Sequence, residues 1–573
     1  MNDQQDPPEQ KAPERPQQTE AAVPEPEPVA AAEAAQPETP PEAIEAEAEA
    51  PPAEEETEQP ETPPQVSAER AEAGEAPAEA ACPVRMYVGG CGRPIYAAPA
   101  GVDERPVCLM HSKDPAKSDE EFQKEFERIL AAAGDEVADF TGFVFPRAAY
   151  RDRKFAARCI FVEARFSRDA NFGWAAFTQA ADFFRATFSD AAIFFRATFT
   201  QGADFFGATF TKGADFRLAT FTQRALFSKA TFTKGADFRL ATFTKDAFFA
   251  GTTFAGFTDF SHAVFTGAAR FAPSAKSEGE EAKPCEFKNK VLLQGAGFQD
   301  YADFRGAVFG EPGSSTAQPV FSLVRFERPE RVTFYKTWLG QTLFVNCDVS
   351  KLSFSDVEWG RDGERVRLYE ETVPLGDAAA EALRPPVGSR DERRYRLIAE
   401  TYHQLKNNYD SKGDPWTAND FHYGEMEMRR RLSRWPRVGL TALYKYASQY
   451  GLSMARPLRW LAGVLLLFTL LYPFAGLRPV TARTQATVPV TQVKPSAYWN
   501  LPEATGWVPR PVLLVGHSFM ATLAVASLQR EAAYYEPAYG LGRFLGILEL
   551  ALTSTLAALF ILAVRRQFKR GGD

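Results

Sequence analysis

Four residues in one short stretch are of the types that bind soft metals: Cys82, Cys91, Cys108 and His111, in CPVRMYVGGCGRPIYAAPAGVDERPVCLMH. Their spacing is C-x8-C-x16-C-x2-H. Zinc takes four thiolate or imidazole ligands in a tetrahedron, and Cys108 with His111 supplies two of them from a single turn. The first pair is spread more widely than the usual C-x2-4-C of such sites, but Gly89, Gly90 and Gly92 around Cys91 free the backbone to bend there. With four protein ligands no position is left for a substrate, so the expected ion is a structural Zn2+ with no catalytic role. A segment this short builds little core, and a metal explains how it folds. The alternative is a loop-rich cap of uncoordinated thiols. A disulfide suits an oxidising compartment, and the N-terminus lacks the charged-then-apolar pattern of an export signal.

Composition changes sharply on either side of this stretch. Residues 1–81 contain no aromatic residue and carry 22 acidic against 3 basic side chains. So little apolar surface cannot offset ordering entropy, and a disordered acidic Pro/Ala/Glu tail is expected. The rest of the chain holds 62 Lys and Arg against 52 Asp and Glu, a net +10, although the whole chain is −9. A mildly basic body suits an anionic surface such as a membrane. Residues 118–133 place Phe122, Phe126 and Ile129 at helical spacing, so a small cap and helix are expected over 82–135.

From Phe140 an aromatic side chain recurs first every five residues and then at alternating steps of six and five, as in Phe183, Phe188, Phe194, Phe199 and Phe205. The residue two before each Phe is small, as in Ala181, Ala186 and Ala197, so a large and a small side chain point to the same side of an extended backbone. ATFTKGADFRL at 208–218 recurs unchanged at 230–240. Self-similarity at a fixed period marks a solenoid, in which each repeat packs only on its neighbours.

With ADF at 181, 203, 214 and 236 and ATF between, the segment 140–359 resembles the pentapeptide-repeat family, whose consensus is A(D/N)(L/F)xx. The resemblance implies a right-handed quadrilateral β-helix. Two steps of six in each circuit lengthen the coil to 22 residues, with a one-residue bulge expected at two opposite corners. The solenoid is expected over 138–360, interrupted by loops near 272–286 and 310–320, and its final run from Phe334 to Trp359 returns to strict fives. Some members of that family mimic DNA through an acidic face. From Arg151 to Phe271 there are 16 basic and 10 acidic residues, the opposite balance, and the bias is too mild to predict a nucleic-acid partner. The repeats hold no carboxylate pair, Ser/His/Asp set or phosphate-cradling Gly loop, so no enzyme is expected.

After a linker expected at 361–388, residues 389–437 read as a helical hairpin similar to a single tetratricopeptide-type unit, with Tyr395, Ile398, Tyr402, Leu405 and Tyr409 at helical spacing. Its second helix is expected over 418–432. His422, Glu425 and Glu427 have the types for metal or acid–base work, but Glu425 with Arg429 and Glu427 with Arg431 are i, i+4 pairs that stabilise a helix. A membrane module is expected over 438–573, with crossings at 458–477 and 541–564 and a re-entrant helix at 511–528. Arginines precede the first crossing and follow the second, which places the repeats and both termini in the cytoplasm and 478–540 opposite.

The order of crossing, short apolar helix and crossing over about 455–570 resembles the two-transmembrane pore module of potassium-channel-like proteins. That family's filter is a TVGYG-like run. Here SLQREAAYYEPAYG stands in its place, so a potassium filter is absent. Glu549 lies deep in the second crossing, where a charge is paired or functional. The sequence therefore points to a non-catalytic, membrane-integrated scaffold with an unidentified protein partner. The alternative is an ion-channel-like homo-oligomer with a degenerate pore.

Overall fold

The structure, a computed structural model of the 573-residue chain, describes residues 81–274, 282–310, 318–363, 365–372, 390–479, 510–529, 535–537 and 540–568. The expected tail, apart from Ala81, lies outside these residues, as do the middles of both expected loops and the second half of the expected linker.

From Val137–Asp139 to Ser353–Ser355 the chain winds as a four-sided β-solenoid. Each side contributes a short strand that pairs in parallel with the strand one coil away, giving ladders of ten, eight, eight and eight strands. Thr209 lies beside Thr231, Phe210 beside Phe232 and Asp215 beside Asp237, a register of 22 residues. The intervening Thr220–Phe221 and Ala225–Leu226 belong to the other two ladders. Five-residue steps turn tightly: the Ala186 and Ala197 amides each donate to Phe183 and Phe194 carbonyls at 3.0 Å. Arg185 and Arg196 sit there at φ of 52° and 56°, the left-handed third position of a type II turn. The extra residue of each six-residue step is taken up at the other two corners, leaving the ladders in register.

Phenylalanine rings stack along the axis. Phe188, Phe210 and Phe232 follow one another at 4.8 and 4.7 Å with rings within 3° of parallel. Rings on adjacent sides meet edge to face, as Phe194 and Phe205 do at 5.5 Å and 84°. Both geometries suit the aromatic quadrupole, and the spacing is that of neighbouring strands. The alanines two before each Phe fill the remaining space, which leaves Phe216, Phe227 and Ala225 fully buried. At one corner only glycine fits, since a Cβ on Gly256 would lie 1.0 Å from the Lys234 carbonyl oxygen.

Coil length departs from 22 where sequence is inserted. Thr253 pairs with Glu286 and Val291 with Pro319, lengthening those coils to 33 and 28 residues, yet Phe254 still stacks on Phe287 at 4.8 Å. The last coil pairs Phe334 with Phe354, the 20-residue spacing of the strict fives.

A stack has two ends whose backbone groups lack a neighbouring coil. At the start, helix α1 (Asp119–Ala133) lays Phe126 on Phe140 and Tyr150 at 4.6 and 4.7 Å. The Met110 carbonyl there accepts from Val144 N–H at 2.8 Å. At the far end helices α2 (Arg390–Ser411) and α3 (Pro415–Leu432) form the expected hairpin. Asn408 Nδ2 donates to the carbonyls of Val349 and Leu352 at 2.8 Å each, and Gln404 Oε1 accepts from Val349 N–H at 3.0 Å. The second helix begins three residues earlier than expected, because Pro415 is tolerated in a first turn and Asp414 caps the Trp416 and Thr417 amides. Within the expected linker, Arg361–Asp362 pairs with Arg365–Val366 and Tyr369–Glu371 forms a 3-10 turn. That turn inserts Glu370 beneath the last coil, where its carboxylate accepts the Phe344 N–H.

Beyond the hairpin come α4 (Leu440–Ser448), α5 (Ala455–Ala475), α6 (Arg510–Ala526) and α7 (Leu541–Phe568). Helices α5 and α7 are long and apolar enough to cross a membrane, and α6 is a shorter apolar helix.

Two outcomes follow. Phe216→Ala removes a fully buried ring from the stack and should cost about 3–5 kcal/mol, read as a lower urea midpoint for the solenoid. Burial pushes the Glu370 carboxyl up to about 7 from 4.5. A raised acid binds its proton more tightly when folded, so its contribution is complete below pH 4.5 and lost as pH rises through 7. Glu370→Gln should therefore flatten the decline in stability across that window, a difference on the order of 2–3 kcal/mol. Parallel pH profiles for the two proteins would contradict this.

Candidate metal centre

The two halves of the cluster are built by different local structures. Cys82 and Cys91 sit on a hairpin: Cys82 N–H donates to Arg93 O at 2.8 Å and Cys91 N–H to Val84 O at 2.9 Å. Its tip closes through Met86 N–H to Gly89 O at 2.8 Å, with Gly89 at φ 80°. Cys108 and His111 share one turn, in which the His111 and Ser112 amides both donate to Cys108 O at 3.0 Å. Lys117 braces that turn, its Nζ donating to Leu109 O at 3.0 Å and Ser112 O at 2.7 Å.

All four expected ligands converge, their ligand atoms lying within 4.8 Å of one another. Cys91 Sγ is 3.6 Å from Cys108 Sγ, and His111 Nδ1 is 3.2 Å from Cys108 Sγ and 3.6 Å from Cys82 Sγ. A zinc tetrahedron with bonds of roughly 2.0–2.3 Å has ligand-to-ligand edges of about 3.3–3.8 Å, so these three separations fit. Cys82, Cys108 and His111 are buried and Cys91 is partly exposed. The hydrogen bond from Cys108 holds the Cys91 thiol well below its usual range against the cost of burial, with His111 and Arg93 adding to it. Arg93 Nη1 donates to Cys91 Sγ at 3.3 Å. One thiolate is thus favoured before any ion arrives, as metal binding requires.

The imidazole is oriented by the solenoid itself. His111 Nε2 lies 3.0 Å from the Thr141 carbonyl, which accepts its proton and leaves Nδ1 unprotonated toward the sulfurs. The His111 ring also stands edge-on to Phe143 at 5.1 Å and 89°. Thr141, Arg93 and Lys117 were not singled out by the sequence, because they are joined to the ligands by the fold and not by spacing.

The other residues with chemical potential are scattered. Glu425 pairs with Arg429 at 2.6 Å as expected, and also faces His403 Nδ1 at 3.2 Å. The expected Glu427–Arg431 pair is not formed. Glu427 is buried against Arg430, Lys445 at 3.1 Å and Tyr450 Oη at 3.0 Å, while Arg431 reaches Glu371 at 3.3 Å. Tertiary partners displaced the helical one because α4 and the 3-10 turn pack against opposite sides of α3. Burial opposes ionisation of Glu427, but its bonds to Arg430, Lys445 and Tyr450 hold the carboxyl down to about 2. Burial, with Arg566 nearby, lowers His422 to about 3, so its imidazole is neutral. None of these makes an acid–base pair. Glu549 is buried between α5 and α7 and accepts a hydrogen bond from the Tyr472 hydroxyl.

With the geometry in place, comparison with known proteins bears on the solenoid. A family model described as pentapeptide repeats (9 copies) matches residues 227–274. No curated protein and no solved structure matches the chain. The matched pentapeptide-repeat stretch lies wholly within the stacked ladders and excludes the metal-ligand cluster and the apolar helices.

A metal held by the cluster should co-purify at about one per chain, a single site having one tetrahedral set. Metal analysis after Cys108→Ser with His111→Ala should find it lost, with faster amide exchange over Phe140–Tyr150. Retention of the metal in that variant would contradict the assignment.

Proposed function

We propose that the chain is a membrane-anchored, non-catalytic scaffold whose pentapeptide-repeat β-helix presents a rigid surface to a protein partner or to the membrane surface. Structural zinc at Cys82, Cys91, Cys108 and His111 closes the far end of the rod. The observation that carries this reading is the join between solenoid and anchor. Glu427 of α3 binds Lys445 of α4 and Tyr450, and Arg566 at the end of α7 donates to Tyr450 O at 3.1 Å. A buried charge network of this kind fixes geometry more than it adds stability, which suits a protein that holds a surface in place.

The surface with the composition of a binding site is a ridge along one corner. The Arg196 guanidinium lies 4.4 Å over the Trp174 ring, and Arg217 lies 5.3 Å over Phe195. Tryptophan and arginine are the residues that most often anchor protein interfaces. Arg217 and Arg239 are paired with Asp215 and Asp237 at 2.7 Å each, which argues against a nucleic-acid face. The arginines flanking the two crossings support a cytoplasmic location for the repeats and both termini.

An ion-channel-like reading is favoured by one feature. Short helix α6 packs between the long ones, with Ser518 donating to Thr469 O and Thr522 3.4 Å from the Thr469 hydroxyl, close to the Glu549–Tyr472 pair. That reading requires a closed ring of subunits, and crosslinking in detergent that finds monomer excludes it.

The scaffold reading is tested by capture of partners from native membranes with the full chain. Arg196→Glu with Arg217→Glu should abolish capture while leaving membrane association and metal content intact. Capture unaffected by the ridge variant, or turnover of a substrate by the purified chain, would contradict it.

A further inference from the structure

A second site lies where the chain meets the bilayer. Tyr446 of α4 and Arg456, Arg459, Trp460 and Gly463 of α5 line a cavity of about 460 Å3. Trp460 Nε1 donates to the Tyr446 carbonyl at 3.3 Å, holding one wall against the other. Neither Arg456 nor Arg459 forms an ion pair among the described residues, and the guanidinium of Arg459 makes only a 3.4 Å contact to Ala455 O. No Asp or Glu occurs from 428 to 502, a stretch that begins with Arg429, Arg430 and Arg431 and includes Arg434 and Arg437. Two guanidinia in a cavity with no local carboxylate require an anion from outside the chain.

The surroundings say what kind of anion. Leu440, Leu443 and Tyr446 on α4 are 86%, 62% and 57% exposed, and Trp435 and Val438 just before it are 62% and 76% exposed. Leucines three apart on one helix make an apolar stripe with no protein cover, the pattern of a helix lying in a bilayer interface. Trp460 is 54% exposed one turn into α5, at the level where tryptophan anchors a crossing helix. An anion bound here has acyl chains available to cover that stripe.

We propose that this cavity binds the phosphate headgroup of an anionic phospholipid, with Arg456 and Arg459 on the phosphate oxygens and the acyl chains along α4 and the start of α5. The proposal rests on the reading of α5 as membrane-spanning. It gives the scaffold a lipid-dependent docking depth and orientation at the membrane surface, beyond simple anchoring.

The test uses full-length protein purified from membranes in mild detergent, with phosphatidylglycerol or phosphatidylcholine added and bound lipid counted by native mass spectrometry. Retention of phosphatidylglycerol should exceed that of phosphatidylcholine by about tenfold or more, since each arginine near the headgroup contributes roughly 1 kcal/mol. Arg456→Gln with Arg459→Gln should erase the preference. So should Gly463→Phe, which fills the cavity without changing charge, because no atom lies within 4 Å of a Cβ placed there. Millimolar inorganic phosphate should not displace the lipid. Equal retention of the two lipids, displacement by phosphate, or an unchanged preference in both variants overturns the site. Extraction of the wild-type chain by alkaline carbonate is the separate outcome that overturns the spanning reading beneath it.

Discussion

Each coil of this chain is held by the coils above and below it through phenylalanine rings stacked 4.7–5.2 Å apart. The strands are too short to stand alone, and two ladder residues per side give few hydrogen bonds. The rings supply the continuous apolar interior that makes the ladders worth forming. Alanine two places earlier is the necessary complement, since a larger inward residue would force the columns apart. Two insertions lengthen coils by several residues without interrupting a single column, because the extra chain leaves and re-enters at a corner.

A column held by neighbours is weakest at its ends, and the two ends are closed by different chemistry. At the start, the turn that carries Cys108 and His111 offers the Met110 carbonyl to the first coil, while Thr141 of that coil orients His111. Cap and rod therefore order one another. At the finish, side chains of Glu370, Gln404 and Asn408 stand in for the backbone of a coil that does not exist. The same hairpin hands the rod on to the membrane helices through Glu427 and Tyr450. Stability of the solenoid and its position at the membrane thus share residues.

Much of this was legible in the sequence, and the limit has a physical cause. Period-two inward pairs of Ala and Phe, at steps of five and six, dictate a four-sided coil of 22 because side-chain direction is fixed by the local backbone. Cys108 and His111 were legible because one turn sets their separation. What escaped depended on partners distant in sequence. Glu427 chose Lys445 and Tyr450 over Arg431 once α4 packed beside it. Residues 361–372 looked like linker because their charges, Glu370 and Glu371 above all, are satisfied by groups that only the folded end of the solenoid brings near.

The account depends most directly on the 22-residue register. Thr209→Cys and Thr231→Cys would occupy directly paired positions in neighbouring coils, where adjacent strands place Cα atoms about 5 Å apart, within the span of a disulfide. Oxidation of that double variant should join the two residues, with the bond located by peptide mapping. Thr209→Cys with Lys229→Cys, which a 20-residue coil would bring into register, should remain unjoined. The opposite pattern would show that the coil has been wound incorrectly.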